Sequence, residues 1–255
     1  QPQNMNTVIK TAAKHGLTPV YMCLERISPS SGKAHGYKFV KGKYVFKSFS
    51  IPKIIHNRTL PASKRMRKRL RQLTRNHYVF NAQNRYPKYR IHKLLRNRFA
   101  ANLPVTTSYS RSQLRRMMDR FQSLYIKPQS SSVGKGIIKL IRKKKTRWLV
   151  QLPHTSFVTS KQMAETKVNH FVKRRSYLIQ QTIPLATYHG KPYDIRVTVQ
   201  RGANGNWQVT GMYGKVARKG SHVTNVARGG MAKKCYILLR NNFQDPAHVA
   251  HSIQR

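Results

Sequence analysis

The sequence predicts an α/β protein of the mixed α+β kind, and three observations support this. Residues 8–13 carry apolar side chains at helical spacing, and Gly16 follows as a helix C-cap. Residues 34–40 and 44–49 are strand-like runs around a short Lys-Gly-Lys turn, which is typical of a hairpin. Residues 202–206 form a Gly- and Asn-rich turn between two more strand-like runs. Because 39% of the residues are hydrophobic, a buried core is expected.

Residues 1–85 predict a small N-terminal α/β subdomain. Beyond the helix and hairpin described above, short strands are expected at 19–24 and 51–55. Residues 64–75 predict a strongly basic helix with a single apolar stripe, formed by Met66, Leu70 and Leu73. The charged side of this helix is compatible with a solvated face or with a surface that contacts a polyanion.

The remaining residues predict two further subdomains, a central one at 86–178 and a C-terminal one at 179–255. Ser110 is placed as the N-cap of a helix that runs to residue 121. The other elements continue the alternation: helices at 88–99 and 163–172, and strands at 124–128, 137–141, 148–152, 177–181, 194–201 and 207–213.

The charge balance is extreme, because 51 lysines and arginines stand against five acids and the formal net charge is +46. Charge of this size destabilises a compact state unless counterions or an anionic partner screen it. It predicts polyanion binding that weakens with salt, without distinguishing nucleic acid from other polyanions. Neither a membrane span, which needs about 18 apolar residues, nor a basic-then-apolar leader is visible.

The cysteines, Cys23 and Cys235, have neither a CxxC partner nor a histidine nearby at ligand spacing. A zinc site is therefore not expected. Two reduced thiols are typical of a cytoplasmic protein. The sequence leaves the oligomeric state open.

The first candidate motif lies at residues 125–138, where a strand ends in Lys127-Pro128, a Ser/Gly loop follows and a strand resumes. Glycines let backbone N–H groups approach phosphate oxygens, and lysine supplies a point charge. The motif is not a P-loop, because GxxxxGK[ST] is absent. Taken alone, it is more typical of an ordinary Ser- and Gly-rich hairpin turn than of a phosphate site. The candidate phosphate contacts are Lys127, Ser131, Ser132, Gly134, Lys135 and Gly136.

A second motif is the strand 177–181 and the residues that follow it. Gln180, Gln181 and Ile183 are placed where a strand could offer backbone donors and acceptors to an adenine edge. The same residues are compatible with a plain strand.

Two further motifs lie in the C-terminal part of the chain. Asp194 and Arg196 share one face of a strand, where they form a structural ion pair or where Arg196 stabilises phosphoryl charge. Asn225 and Arg228 lie beside Gly229-Gly230, which permits close backbone approach to a ligand or simply forms a loop.

The order of these motifs is more informative than any one of them. Lys127-Pro128, the Ser/Gly loop, Gln180, Asp194-Ile195-Arg196 and the stretch from Thr224 to Gly230 follow one another as in the ATP-grasp ligases. The chain most closely resembles the YheC/YheD family of endospore coat-associated ATP-grasp proteins. The ribosomal-protein glutamate ligases share the looser Asp-Ile-Arg and Asn-x-x-Arg-Gly-Gly elements.

This resemblance implies an ATP-grasp fold, with ATP held between two α/β subdomains. Lys127 would contact phosphate, residues 130–136 would close over the phosphates, and residues 180–183 would form the adenine hinge. Asp194 is assigned to the nucleotide site, and Arg196, Lys215, Asn225 and Arg228 to the catalytic set. The implied reaction is ATP-dependent ligation of a carboxylate to an amine, with both substrates unidentified and spore association possible.

Three departures from the family pattern bear on that reading. The family's magnesium carboxylates follow the Gly-Gly element, whereas after Gly230 this sequence offers only Asp245. Magnesium ligands are therefore not assigned, the C-terminal subdomain is expected to be incomplete, and ligation by this chain is not expected. Lys215 stands where the family usually has arginine, and Gln181 where the hinge often has glutamate.

One alternative stays open at this point: a highly basic polyanion- or nucleic-acid-binding protein that keeps the fold without the catalysis. A dedicated nucleic-acid module is disfavoured, because the sequence lacks an RNP-type aromatic motif, a zinc finger and a heptad region.

Overall fold

The computed structural model describes residues 5–61, 63–84, 86–131, 134–173, 176–218, 224 and 229–254. The chain divides into two compact units, Gln1–Tyr86 (unit 1) and Pro87–Arg255 (unit 2). No helix in the described ranges combines the length and the apolar character needed to cross a membrane. The finer division of unit 2 into central and C-terminal subdomains stays a prediction.

Unit 1 contains an antiparallel sheet in the order β1-β2-β3 and a separate two-stranded parallel sheet formed by β4 and β5. Its elements are α1 (Asn6–Lys14), β1 (Val20–Ser28), β2 (Lys33–Val40), β3 (Lys43–Ser50), β4 (Ile54–His56), α2 (Lys64–Asn76) and β5 (Tyr78–Phe80). The predicted hairpin is confirmed as β2 and β3. Lys41 and Gly42 both have positive φ, as the tight turn of a hairpin requires.

The basic helix predicted from residue 64 is confirmed as α2. Ser63 caps it, since its Oγ accepts a hydrogen bond from the backbone N–H of Met66 at 3.1 Å. The apolar stripe of α2 packs on one face of the three-stranded sheet, in a core formed by Leu24, Ile27, Ala34, Ile51, Ile55, Leu70 and Leu73. Arg69 of the same helix donates to the carbonyls of Leu24 and Glu25 at 2.9 and 2.6 Å.

The strand expected at 51–55 is wrong in its first half. Pro52 has no N–H to give to a sheet, and the strand β4 begins only at Ile54. The N–H of Ile51 instead bonds to the carbonyl of Gly32 at 2.9 Å, and the Ile51 side chain is buried. This residue therefore belongs to the core rather than to the strand.

Unit 2 contains the remaining elements. They are α3 (Lys88–Phe99), β6 (Thr106–Ser108), α4 (Arg111–Arg120), β7 (Ser123–Pro128), β8 (Ile138–Arg142), β9 (Arg147–Gln151), β10 (Ser156–Ser160), α5 (Lys161–Val172), β11 (Tyr177–Gln181), β12 (Thr187–Tyr188), β13 (Lys191–Arg201), β14 (Trp207–Val216), β15 (Met231–Lys234), α6 (Cys235–Arg240) and α7 (Pro246–Gln254). The N-cap expected at Ser110 is confirmed, because its Oγ accepts from the N–H of Gln113 at 3.1 Å. The helix it caps ends at Arg120, where Phe121 turns to extended backbone.

The larger sheet of unit 2 has the strand order β10-β9-β8-β7-β11-β6. Helices α4 and α5 cover one of its faces, and the main core lies between them and the strands. That core consists of Leu114, Met117, Met118, Leu124, Ile126, Ile138, Leu140, Trp148, Val150, Ala164, Val168, Val172, Tyr177 and Ile179. The opposite face of this sheet carries polar side chains together with the buried Leu178, which pairs with Lys127 across the β7–β11 ladder.

The smaller sheet of unit 2 has the order β12-β13-β14-β15 and packs one face on α6. Tyr193 and Val216 meet Leu238 there in a small core. Gly214 allows this approach, because a Cβ at that position would lie 2.0 Å from Cδ1 of Leu238. The other face again carries polar residues.

Candidate functional site

The face of the larger sheet away from α4 and α5, here called the polar face, gathers the half-buried side chains of Tyr125, Lys127, Lys139 and Gln180. Side chains alternate along a strand, so Tyr125 and Lys127 of β7 lie on the side away from α4 and α5. In the antiparallel ladders, Tyr125 faces Lys139 of β8 on one side and Gln180 of β11 on the other. The fold therefore brings together two lysines, a tyrosine and an amide that are far apart in sequence.

Lys127 is held at the centre of this face. Its Nζ donates to Oε1 of Gln180 at 2.6 Å, and Nε2 of Gln180 donates to Oγ1 of Thr106 at 2.9 Å. The Nζ atoms of Lys127 and Lys139 lie 4.9 and 5.4 Å from the ring centroid of Tyr125. Both distances are typical of cation–π contacts, so one ring is shared by two ammonium groups.

The electrostatics of this face favour an anion. Burial lowers the pKa of Lys127, and the nearby charge of Lys88 lowers it further. Burial also lowers the pKa of Lys139 and raises that of Tyr125. A lowered lysine pKa means that desolvation of the ammonium is not fully offset by negative charge. A bound anion would supply that charge.

The Ser/Gly loop begins where β7 ends, and Lys88 anchors its first residues. Nζ of Lys88 donates to the carbonyls of Pro128, at 3.1 Å, and of Ser131. The backbone N–H of Lys88 also bonds to the carbonyl of Gln129 at 3.0 Å. The start of α3 is therefore attached to the start of the loop.

The loop returns to the sheet through Gly136. Its φ is +73°, and a Cβ there would lie 3.1 Å from Cγ of Pro128. Glycine is needed on both counts, the left-handed backbone and the close approach. Gly134 also has positive φ, and Lys135 between them is exposed.

The segment after β11 is fixed by backbone hydrogen bonds. The N–H of Gln181 bonds to the carbonyl of Val105 at 2.8 Å, and that of Thr182 to the carbonyl of Ser123 at 3.1 Å. Oε1 of Gln181 accepts from the N–H of Val105 at 3.4 Å, so its side chain braces β6. Ile183 follows with 47% of its surface exposed. An exposed apolar side chain therefore follows Gln180, the partner of Lys127, three residues later in the sequence.

The polar face of the smaller sheet is organised by Asp194. Nζ of Lys215, on the neighbouring strand, lies 2.9 Å from Oδ1 and 3.1 Å from Oδ2 of Asp194. The hydroxyl of Thr224 also donates to Asp194. Arg196 lies two residues along on the same face and is exposed. Asp194 is therefore engaged by Lys215 and Thr224, and the structure shows no contact between its carboxylate and Arg196 in the described region.

A model of the YheC/D-like ATP-grasp proteins matches residues 76–255. The chain belongs to the YheC/D-like ATP-grasp family. It is 26% identical over 249 residues to the endospore coat-associated protein YheD of Bacillus subtilis (strain 168). The match covers 90% of this chain and 53% of that protein, so the chain spans about half the length of this relative.

Solved ATP-grasp structures are similar at a lower level. A D-alanyl-alanine synthetase A from Vibrio cholerae is 12% identical with a TM-score of 0.49, covering 97% of this chain and 72% of that one. A RimK domain protein from Sphaerobacter thermophilus is 13% identical with a TM-score of 0.47, covering 88% and 72%.

Within this ATP-grasp fold, the structure joins some of the predicted site residues and leaves others apart. Lys127 and Gln180 are in direct contact, as are Asp194 and Lys215. Ser132, Asn225 and Arg228 lie outside the described residues. The sequence reasoning missed Lys88, Thr106 and Lys139 as site residues. Only the alternation around Lys139 could have indicated its face, because the contacts of Lys88 and Thr106 depend on tertiary structure.

Magnesium is the metal that the ATP-grasp family implies, and the described acids of unit 2 do not fit it. Each one already has a partner: Asp119 pairs with Lys161, Glu165 with Arg115, Asp194 with Lys215, and Asp245 accepts from the N–H of His248. No group of three or more potential metal-ligating side chains is found in the part of the chain that the structure describes. Magnesium prefers several oxygen ligands, so we route no step through a protein-held ion.

Proposed function

We propose that the chain binds ATP or ADP on the polar face centred on Lys127. The observation that carries this is the half-buried pair Lys127 and Lys139, whose ammonium groups share one ring and are only partly compensated by negative charge. The pair lies at the start of a loop that contains positive-φ glycines. Membership of the YheC/D-like ATP-grasp family supports the choice of nucleotide over other anions.

In this proposal Lys127 and Lys139 neutralise phosphate charge, and the loop at 130–136 closes over the phosphates. The hydrogen bond from Lys127 to Gln180 is the resting arrangement, which phosphate oxygens replace. Gln180, Gln181 and the exposed Ile183 then receive the adenine, through backbone groups and apolar contact.

The reaction class that the family implies for its complete form is ATP-dependent ligation of a carboxylate to an amine. Because the described acids of unit 2 do not fit magnesium, we expect this chain to bind nucleotide without catalysing that ligation. ATP, when bound, supplies the phosphoryl group that activates the carboxylate. Arg196 and Lys215, on the polar face of the smaller sheet, are the described cations that would receive the negative charge of the activated group. Asp194 orients Lys215 through their ion pair. We propose that Asn225 and Arg228 also contact the negative charge of the activated group. Association with the spore is proposed from the name of the Bacillus subtilis relative.

Calorimetry of the unmutated chain with ATP, ADP and inorganic tripolyphosphate tests this proposal. A protein with a net charge of +46 binds phosphate groups unspecifically, so each titration is repeated at low and high salt. We expect ATP and ADP to bind with one site each, and to retain an advantage over tripolyphosphate at high salt because the adenine contacts are not screened. Equal affinity for ATP and tripolyphosphate at every salt concentration would contradict the proposal.

We expect nucleotide affinity to fall with rising pH earlier than an ordinary lysine would predict. Phosphate binds the protonated ammonium, so affinity is lost as the pH rises through the lowered pKa values of Lys127 and Lys139. Binding must raise these pKa values in turn, with net proton uptake in the alkaline range. Calorimetry in buffers of different ionisation enthalpy measures that uptake. In Lys127→Arg, the loss of nucleotide affinity should move to higher pH. If the pH profile is unchanged, Lys127 does not contact the phosphates.

We also propose that α2 binds polyanions without sequence preference. Its buried side is formed by Leu70 and Leu73, while Lys68 and Arg71 are exposed on the other side. Replacing Arg67, Lys68 and Arg71 by Gln should reduce the slope of log affinity against log salt by about 0.9 for each duplex phosphate that the helix no longer neutralises. Salt titrations of DNA binding measure this slope. A slope unchanged by the triple replacement, or a strong preference for one DNA sequence, would count against it.

A further inference from the structure

The three-stranded sheet of unit 1 carries a row of aromatic side chains on the face away from α2. In the β2–β3 ladder, Tyr37 pairs with Phe46 and Phe39 pairs with Tyr44. In the β1–β2 ladder, Tyr21 pairs with Tyr37. Residues that pair across a ladder share a face, so all of these rings lie on the same side of the sheet.

The core of unit 1 lies on the other side. Ala34 and Phe49, which alternate with the aromatic positions on β2 and β3, pack with Leu70 and Leu73 of α2. The aromatic side of the sheet is partly open instead, since Tyr21 is 38% and Phe46 is 44% exposed. Large aromatic side chains are depleted from ordinary exposed surface, and a group of them on one side of a sheet marks a binding surface.

The rings are held in fixed orientations by their neighbours. Tyr37 and Phe46 meet edge to face, with ring centroids 5.1 Å apart, and so do Phe39 and Tyr44 at 5.2 Å. The guanidinium of Arg26 lies 5.0 Å from the centroid of Phe46. A flat ligand thus meets ordered rings with a cation beside them, and little side-chain entropy is lost on binding.

A cavity of about 240 Å³ opens on this surface. Tyr21, Cys23, Arg26, His35, Tyr37 and Phe46 line it. Gly36 also lines it and allows β2 to approach β1 closely, because a Cβ there would lie 2.2 Å from the carbonyl oxygen of Tyr21. The cavity combines aromatic walls with a cationic edge.

The charge of unit 1 indicates what would occupy this surface. The first 86 residues contain eighteen lysines and arginines and a single acid, Glu25. A protein partner would need both a dense acidic surface and apolar groups that pack against the aromatic rings. A single-stranded nucleic acid supplies both in every residue, since each nucleotide has a phosphate and a flat base with exposed π faces.

We propose that this aromatic face of unit 1 binds single-stranded nucleic acid, with bases stacked on Tyr21 and Phe46 and a phosphate beside Arg26. The residues of this face belong to unit 1, and none of them belongs to the nucleotide site proposed in unit 2. Binding at this face differs also from the binding proposed for α2, which depends on charge alone and lies on the other side of the sheet.

The test is fluorescence anisotropy with an oligothymidylate of about 12 nucleotides and an abasic oligonucleotide of equal length and charge. Measured on the full chain at fixed salt, the base-containing strand should bind at least about fivefold more tightly than the abasic one. Tyr21→Ala and Phe46→Ala should each remove about fivefold or more of the affinity for oligothymidylate and leave abasic binding unchanged. Phe46→Tyr, which keeps an aromatic ring, should bind oligothymidylate as tightly as the unmutated chain.

Two matched controls separate stacking from charge and from folding. Tyr78, on β5, is 67% exposed and lies in the two-stranded sheet, so Tyr78→Ala should leave the base preference unchanged. The α2 triple replacement should weaken both oligonucleotides equally. Hydrogen exchange of residues 20–50 confirms that the alanine variants keep their strands. Equal binding of the two oligonucleotides by the unmutated chain would overturn the proposal, as would a loss in Tyr78→Ala as large as that in Phe46→Ala.

Discussion

Lys127→Ala is expected to weaken ATP binding by about 1–3 kcal/mol, the free energy of one charge-assisted hydrogen bond in a half-buried site. The physical reason is that Lys127 lies at the centre of the polar face, where it already donates to Gln180 and contacts the Tyr125 ring. The substitution also removes an ammonium whose pKa burial and Lys88 have lowered, so the folded chain should not lose stability. Calorimetry at moderate salt measures the change in affinity.

The matched control is Lys167→Ala, which removes an exposed lysine from α5 on the covered side of the same sheet. It reduces the net charge by the same amount, so any unspecific loss of phosphate affinity appears in both variants. A loss for Lys127→Ala no greater than that for Lys167→Ala would mean that the nucleotide does not contact the polar face.

Gly36→Ala is expected to destabilise unit 1 by about 1–3 kcal/mol, because the new Cβ would overlap backbone atoms rather than a movable side chain. It would lie 2.2 Å from the carbonyl oxygen of Tyr21 and 3.1 Å from Cα of Met22. Since β1 must shift to relieve this, the β1–β2 ladder should loosen and the aromatic face should lose its order. Hydrogen exchange of residues 20–40 reports the change for this unit alone, and denaturant unfolding gives its size.

Gly211→Ala is the same chemical change, but we expect it to have the opposite effect on stability. Gly211 lies on β14, and a Cβ there would have no neighbour within 4 Å. Alanine restricts the unfolded chain more than glycine does, so this variant should be neutral or more stable by up to about 1 kcal/mol. Equal free energies of unfolding for the two glycine variants would contradict the close approach of β1 and β2 at Gly36.

The chemistry of the polar face around Lys127 could be predicted in part from sequence, because its motifs follow one another in a recognisable order along the chain. A strand ending in Lys-Pro, a Ser/Gly loop and a strand with Gln180 are visible in the sequence, and the structure brings Lys127 and Gln180 into contact. Lys88 could not be found in this way. It reads as the first residue of a basic helix, and its bonds to Pro128 and Ser131 join positions that are distant in sequence and that only the fold brings together.

The aromatic face shows a different limit. The alternation of Tyr37 with Phe39 and of Tyr44 with Phe46 is visible in sequence, and it predicts the hairpin correctly. The same pattern did not indicate a binding surface, since half of a strand's alternating large side chains normally enter a core. Only the packing of α2 decides that the core is on the other side. An RNP-type motif is a local sequence pattern, so it cannot indicate a face to which β1 contributes as well as β2 and β3.

For a metal site, the sequence shows only that acids are few. The structure adds that each described acid of unit 2 already has a partner. Asp119 and Glu165 balance lysine and arginine on the helices, Asp245 bonds to the N–H of His248 at the start of α7, and Asp194 holds Lys215. These pairings depend on tertiary contacts, which composition does not reveal.

The central claim is that nucleotide binds on the polar face of the larger sheet, and photo-crosslinking with 8-azido-ATP tests it most directly. After irradiation and digestion, mass spectrometry identifies the labelled peptide. The account predicts label in the peptide that contains residues 180–183, suppressed by excess ATP and reduced in Lys127→Ala but not in Lys167→Ala. Label that falls mainly on the basic helix α2, or that is scattered and not suppressed by ATP, would contradict it.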